Sequence, residues 1–232
     1  MMIAFDHLVI YSNDPVRHQE IFSSSHNQVG VPGGKHSLWG TFNHLAFYKN
    51  NAYIEWLGIE NDEQAEQSDN PLIQHAFHSK SKEQEGPIQF ALRINNMDDY
   101  LNYFNEKGIE YDGPFPGQRT RPDGSVLEWK MLFPKYNFDA EPLPFLIEWN
   151  GEGNIPTDEA DLNPSEFNNV TIHSQNPEAF ASRMQEIYQL GDPMQSKSRY
   201  EWPLENGKLF VSKGRGIEAR FKFNLIKFKS SY

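Results

Sequence analysis

The 232-residue chain contains no cysteine. Disulfide frameworks, thiolate metal sites and cysteine nucleophiles are therefore excluded. It is also short of cations: 21 Lys and Arg stand against 32 Asp and Glu, a formal charge of −11. A globule of that sign is a poor partner for nucleic acid or an anionic membrane surface. No run approaches the ~18 apolar residues of a spanning helix. The opening MMIAFDHLVIYSND lacks the cationic region and apolar helix of a signal peptide. The expectation is a cytoplasmic chain with a small-molecule partner and neither a nucleic-acid nor a membrane partner. A phosphate-binding glycine loop, a serine nucleophile elbow and an HExxH motif are also missing. Nucleotide cofactors, serine hydrolysis and zinc proteolysis thus have no support. What the chain does have is rings, since aromatics make up 14% of residues within a 38% hydrophobic total.

It also repeats itself. FDHLVIYSNDP (Phe5 to Pro15) aligns without a gap on FNNVTIHSQNP (Phe167 to Pro177), sharing the Phe, Ile, Ser and Pro columns. A weaker copy, PIQFALRINN, runs from Pro87 to Asn96. Each β-rich run ends at Asn or Asp near a helical pattern, as helix N-caps prefer. A second repeated element, Tyr53-Ile54-Glu55-Trp56, resembles Leu146-Ile147-Glu148-Trp149. Between helix and closing element there is room for strands such as FNHLAFYK and SVLEWKMLF. The predicted class is α+β: tandem βαβββ units forming curved mixed sheets around a cavity, with helices on the outer face. Residues 1–60 make the first unit, 86–151 the second, which pairs with the first, and 165–232 a third, divergent unit. The polar stretches 61–85 and 152–164 read as linkers.

Strand alternation decides which side chains meet. His7, Val9 and Tyr11 share one face and Leu8 and Ile10 the other; Gln89, Ala91 and Arg93 oppose Phe90, Leu92 and Ile94 in the same way. The apolar faces belong under the helices, which leaves His7 and Gln89 on the concave side. Glu55 and Glu148 each sit between large apolar neighbours, a costly place for a carboxylate unless it faces a cavity, a metal or a cation. The simple alternative for each is a solvated strand face. If His7, Glu55, Gln89 and Glu148 converge, the donor set suits one divalent ion such as Mn, Fe, Ni or Zn. Glu148 or Glu55 would then serve as the proton-transfer base.

These segments resemble the glyoxalase-like domain family of the vicinal oxygen chelate superfamily, which includes glyoxalase I, extradiol dioxygenases and bleomycin-resistance proteins. The resemblance rests on FDHLVIY, GGKHSLWGTFNHLAFY, YIEWLGIE, FALRINNMDDY, GQRTRPDGSVLEWKMLFP and LPFLIEWNG, spanning residues 5–150. It implies a metal held by His7 and Glu55 from one unit and Gln89 and Glu148 from the next. Two functional readings follow from it. One is a metal-dependent lyase or isomerase acting on a small oxygenated substrate, with a dioxygenase less favoured because Gln89 stands where that pattern uses His. The other is a metal-free small-molecule or antibiotic-binding protein.

Candidate substrate contacts come from two further segments. Gly33-Gly34-Lys35-His36 precedes Asn43, and the reading is a loop over the cavity with His36 and Asn43 supplying polar contacts; a plain turn with His36 solvated is the alternative. Arg119 and Arg121 flank a turn, placed either to grip a carboxylate bidentately or to pair with surface acids. Trp56, Trp129 and Trp149 read as core, and His18, His26, His75 and His78 as surface. The third unit lacks the His of the first, Glu218 matches Glu55 only loosely, and no metal is assigned there. An odd unit either caps the other two or pairs with its counterpart in a homodimer.

Overall fold

A computed structural model describes residues 3–120, 124–151, 153–156, 158–222 and the backbone of 226–229. Arg121, one of the candidate contacts, lies outside the described residues. The chain opens with β1 (Ala4–Tyr11), α1 (Pro15–His26), β2 (Val31–His36), β3 (Thr41–Tyr48) and β4 (Ala52–Ile59). Helices α2 (Asp62–Glu66) and α3 (Pro71–Ser81) follow. The second repeat is β5 (Gly86–Arg93), α4 (Met97–Lys107), β6 (Tyr111–Thr120), β7 (Val126–Pro134) and β8 (Phe145–Trp149). The last part runs β9 (Leu162–Asn163), β10 (Phe167–Ser174), α5 (Pro177–Tyr188), β11 (Met194–Ser196), β12 (Arg199–Leu204), β13 (Gly207–Lys213), β14 (Gly216–Phe221) and β15 (Ile226–Lys229).

The three repeated helices start for the same chemical reason. Asp14, Asn96 and Asn176 each turn a side-chain oxygen onto the open N–H groups of the first turn of α1, α4 and α5. Pro15 and Pro177 occupy first positions where no N–H is needed. Gly108 ends α4 in the left-handed conformation that favours glycine.

The larger sheet runs β2-β3-β4-β1-β5-β8-β7-β6, with β9 added beside β3. Each half repeats the other in mirror order about the antiparallel β1–β5 pair. The curl brings the two edge strands together: Arg119 on β6 donates to the carbonyl of Gly33 on β2. The outer face carries Leu8, Ile54, Phe90 and Leu146, packed with Phe22 of α1 and Tyr100 and Phe104 of α4. The inner face carries Val9, Leu57, Ala91, Phe145 and Ile147.

Two stretches read as linkers are built into this body. Ala65 of α2 and Leu72, Ile73 and Ala76 of α3 pack on the inner face, so two helices lie inside the curl rather than outside it. The helical pattern near Leu72 is the visible trace of this; the burial of Ala65 has no strong periodic signal. Leu162 and Asn163 join the sheet as β9, where Asn163 bonds Phe47 O and both backbone groups of Val29.

The third repeat forms a separate sheet, β11-β12-β13-β10-β14-β15. Its back joins the outer core of the first through Val170, Ile172 and the face of α5. The seam with the first repeat is reciprocal. Asn206, in the β12–β13 turn, bonds Phe5 N and O, while Asn50, in the β3–β4 turn, bonds Phe167 N and O. Each Asn also donates to the other's carbonyl, and the matched rings of Phe5 and Phe167 stack at 3.8 Å and 3°. Register also corrects the place of Glu218. It lies opposite Thr171 as Gln89 lies opposite Val9, so it answers to Gln89 and not to Glu55, whose position falls to Phe210.

Candidate functional site

β1 and β4 run parallel with His7 opposite Tyr53 and Val9 opposite Glu55, which sets His7, Tyr53 and Glu55 on the inner face. His7 Nε2 lies 3.4 Å from Glu55 Oε2, and the ring stacks on Tyr53 at 4.4 Å. His7 Nδ1 lies 2.7 Å from Asp6 Oδ1. Asp6 precedes His7, and strict alternation from that inward side chain would send it to the outer face. A register shift in β1 between Phe5 and His7 re-aims it, as bulges do. Its second oxygen accepts from Arg93 at 3.1 Å and from the Trp149 indole at 2.9 Å.

Burial is the largest single influence on His7 and opposes its charge, but the hydrogen bonds to Asp6 and Glu55 outweigh it and raise the pKa to about 9. Burial likewise pushes Glu55 up, yet the hydrogen bond and charge of His7, with the Asn43 amide, hold its carboxyl below the ordinary range. The pair is therefore an imidazolium and a carboxylate at neutral pH. Tyr53 is pushed well above its ordinary value by burial and by both carboxylates.

Asn43 on β3 donates to Glu55 Oε1, while its own carbonyl oxygen is buried without a partner. The segment from Val31 to His36 is a strand and not a loop over the cavity. The space left by Gly33 is filled by Asn43, whose Oδ1 would lie 2.0 Å from a Cβ there. His36 ends β2 with Nδ1 3.0 Å from the Thr41 hydroxyl. Burial above all, with Arg119 adding and Glu55 opposing, lowers its pKa and keeps the ring neutral. Besides Gly33, Arg119 grips Asn154 Oδ1 at 2.7 Å.

These residues bound two neighbouring spaces that share part of their walls. A small recess of about 40 Å³ is lined by His7, Asn43, Tyr53 and Glu55 among Leu57, Phe145 and Ile147. It is roofed by Leu72 and Ile73 of α3. An open cleft of about 1050 Å³ lies outside it, between the β2–β3 turn and the ends of β6, β7 and β8. His36, Trp39, Arg119, Trp129 and Trp149 line both, forming the neck. Trp56 is core as expected, whereas Trp129 and Trp149 are also cavity wall.

The other two residues of the expected metal quartet are elsewhere. The Gln89 amide donates to Tyr136 Oη and Leu143 O, both at 2.9 Å, and its oxygen accepts from Phe90 N. Glu148 borders the cleft, but its carboxylate accepts from Met97 N at the start of α4, on the outer face. The reason is register. Ala91 lies opposite Phe145 and Arg93 opposite Ile147, so Phe145 holds the position that Glu55 holds in the first repeat. The IEW match is displaced by an odd number of residues, which turns the second Glu to the other face. His7, Glu55, Gln89 and Glu148 therefore do not form one donor set. Among the described residues no three His, Asp or Glu side chains are grouped to hold a metal ion. Nor is His75 a surface residue: it is buried against Phe138 and hydrogen-bonded to Tyr136 at 2.8 Å. Sequence reading missed Asp6, Tyr53, Trp39 and Asn154; a bulge and long-range folding place them, and local pattern carries no sign of either.

Paired βαβββ repeats curled around a cavity define the class of fold. The glyoxalase-like domain family matches residues 5–188, and the chain belongs to it. A hypothetical protein from Staphylococcus aureus has a similar crystal structure, with a TM-score of 0.77 and 21% identity over 92% of this chain and 87% of that one. Methylmalonyl-CoA epimerase from Mycobacterium tuberculosis is more distant, with a TM-score of 0.45 and 16% identity over 63% of this chain and 86% of its own. The Streptomyces coelicolor epimerase, in complex with 2-nitronate-propionyl-CoA, gives 0.48 and 15% over 67% of this chain and 100% of that one. These likenesses concern the fold. No curated protein sequence matches the chain. No helix among the described residues is long and apolar enough to cross a membrane.

Proposed function

We propose that the chain binds a small oxygenated, acidic molecule, its oxygens entering the neck between His36 and Arg119 and facing the recess of His7, Asn43 and Glu55. The observation that carries this reading is that an open, ring-walled cleft and a buried polar recess share His36 and Arg119 in their walls. Neutral His36 offers a donor or an acceptor, and Arg119 a permanent cation. Around the recess the carboxylates of Asp6 and Glu55 are held by His7 and Arg93, and Arg119 stands at the neck as a further cation in a chain of charge −11.

The same geometry favours metal-free binding over lyase or isomerase chemistry. Glu55, tied by His7 and Asn43 and held below the ordinary carboxylate range, is a weak base at neutral pH. Glu148 caps a helix on the other face. The donor set does not fit the implied metal.

Tryptophan fluorescence tests the reading, since Trp39, Trp129 and Trp149 line the neck. Titration with 2-oxobutyrate, 2-hydroxybutyrate and 2,3-butanediol is expected to give saturable quenching by the acids in preference to the diol. Arg119→Gln and His36→Gln, each checked by thermal melting, are expected to weaken it at least ~10-fold, the scale of one lost charge-assisted hydrogen bond. Failure of both acids to saturate the signal, or unchanged affinity in both variants, would refute it.

A further inference from the structure

The cleft is far larger than its polar end needs. The recess of about 40 Å³ takes little more than the oxygens of a head group, whereas the cleft outside it, at about 1050 Å³, is at the upper end of what whole drug-sized ligands occupy. Its wall is mixed. His36, Arg119 and the rings of Trp39, Trp129 and Trp149 are shared with the recess, while Leu38 and Val126 line only the outer space, among charged side chains such as Glu128 and Lys130.

Leu38 is 78% exposed and Val126 59%. Single exposed apolar side chains are ordinary on protein surfaces. These two come from different repeats, one in the β2–β3 turn and one at the start of β7, and both border the same ring-walled cleft. The turn that presents Leu38 is pinned. Trp39 N bonds His36 O at 2.9 Å, Gln64 bonds Ser37 O at 3.2 Å, and Gly40 O accepts from Glu60 N and Asn61 N. Lys35 pairs with Glu60 beside it. The fold thus spends an ordered turn on holding a leucine toward solvent at the cleft mouth.

We infer that the ligand is amphipathic: a carboxylate-bearing, oxygenated head at the His36–Arg119 neck, an apolar body across the three tryptophans, and a tail ending between Leu38 and Val126. This rests on the binding reading above and narrows it to acids with an extended apolar chain. A short hydroxy acid fills the neck and leaves Leu38 and Val126 in water; a longer one removes these two side chains from water as well as its own methylenes.

A chain-length series separates the two claims. The full-length protein is titrated by tryptophan fluorescence with 2-oxobutyrate, 2-oxohexanoate, 2-oxooctanoate and 2-oxodecanoate, alongside Leu38→Asp and Val126→Asp. Both positions are exposed, so thermal melting is expected to match the parent. Affinity is expected to rise about fourfold per methylene, ~0.8 kcal/mol each. The aspartate variants are expected to lose most of the gain for the two longest acids and to bind 2-oxobutyrate as the parent does. A flat series with 2-oxobutyrate bound overturns the amphipathic ligand and leaves the head-group reading standing. A rising series unaffected by both variants overturns the assignment of the tail to the mouth. Absence of binding by every member refutes the head-group reading together with this one.

Discussion

His7 is the residue on which the buried polar cluster turns. Its two ring nitrogens face Asp6 and Glu55, so removing its proton would leave two buried carboxylates sharing a neutral ring. The consequence for stability has a definite sign. In the unfolded chain His7 titrates near 6.5, and in the folded chain near 9. Its contribution is fully present below about 6.5, declines as the unfolded chain gives up its proton, and is lost above about 9. Glu55 acts oppositely: its folded value lies below 4.5, so its contribution is present above 4.5 and is lost as pH falls through the folded value. Melting temperature is therefore expected to fall from pH 6.5 to 9, corresponding to on the order of 3 kcal/mol. His7→Gln is expected to flatten that decline; an unchanged slope in the variant would contradict the assignment. His7 and Glu55 were legible as candidates because their flanking apolar residues announce an inward strand face. Asp6 was not, because a bulge and not alternation delivers it.

At the scale of elements, the repeat made the β-α-β-β-β order readable, and the capping residues Asp14, Asn96 and Asn176 marked each helix start. Register was not readable. The closing IEW segments look equivalent, yet their pairing differs by an odd number of residues, and one Glu faces the recess while the other caps α4. A carboxylate on the first free N–H of a helix interacts with both the donor and the helix dipole. Glu148→Gln is expected to cost about 1 kcal/mol in denaturant unfolding and to leave the fluorescence titration with 2-oxobutyrate unchanged. Loss of binding with unchanged stability would instead put Glu148 at the ligand. The inner helices α2 and α3 were equally hidden, since the polar, acidic segment from Glu60 onward gives Ala65 no apolar neighbours to form a pattern.

Across the whole molecule, the third repeat is joined to the first by a seam with near twofold logic. Asn50 and Asn206 each satisfy both backbone groups of the partner repeat's opening Phe. A buried backbone group left unpaired costs ~1–3 kcal/mol. Asn50→Ala and Asn206→Ala are each expected to destabilise by about 2 kcal/mol, and the double variant by less than the sum, because the two side chains share partners. Strict additivity in urea unfolding would count against a cooperative seam. The sequence left open whether the odd repeat meets the first within the chain or a copy of itself in a homodimer. The matched Phe columns carried the repeat, but only the folded chain brings Phe5 and Phe167 into a stack.

The central claim is that side chains at the neck, and not a metal held by His7, Glu55, Gln89 and Glu148, fix the ligand's oxygens. The most direct test is the 2-oxobutyrate titration on protein stripped with EDTA, repeated after adding Mn, Ni or Zn, for the parent and for Glu148→Ala. The expected result is one affinity, within about twofold, under every condition and in both proteins, a difference well under the 1.4 kcal/mol of a tenfold change. Binding that appears only with metal and disappears in Glu148→Ala would contradict it.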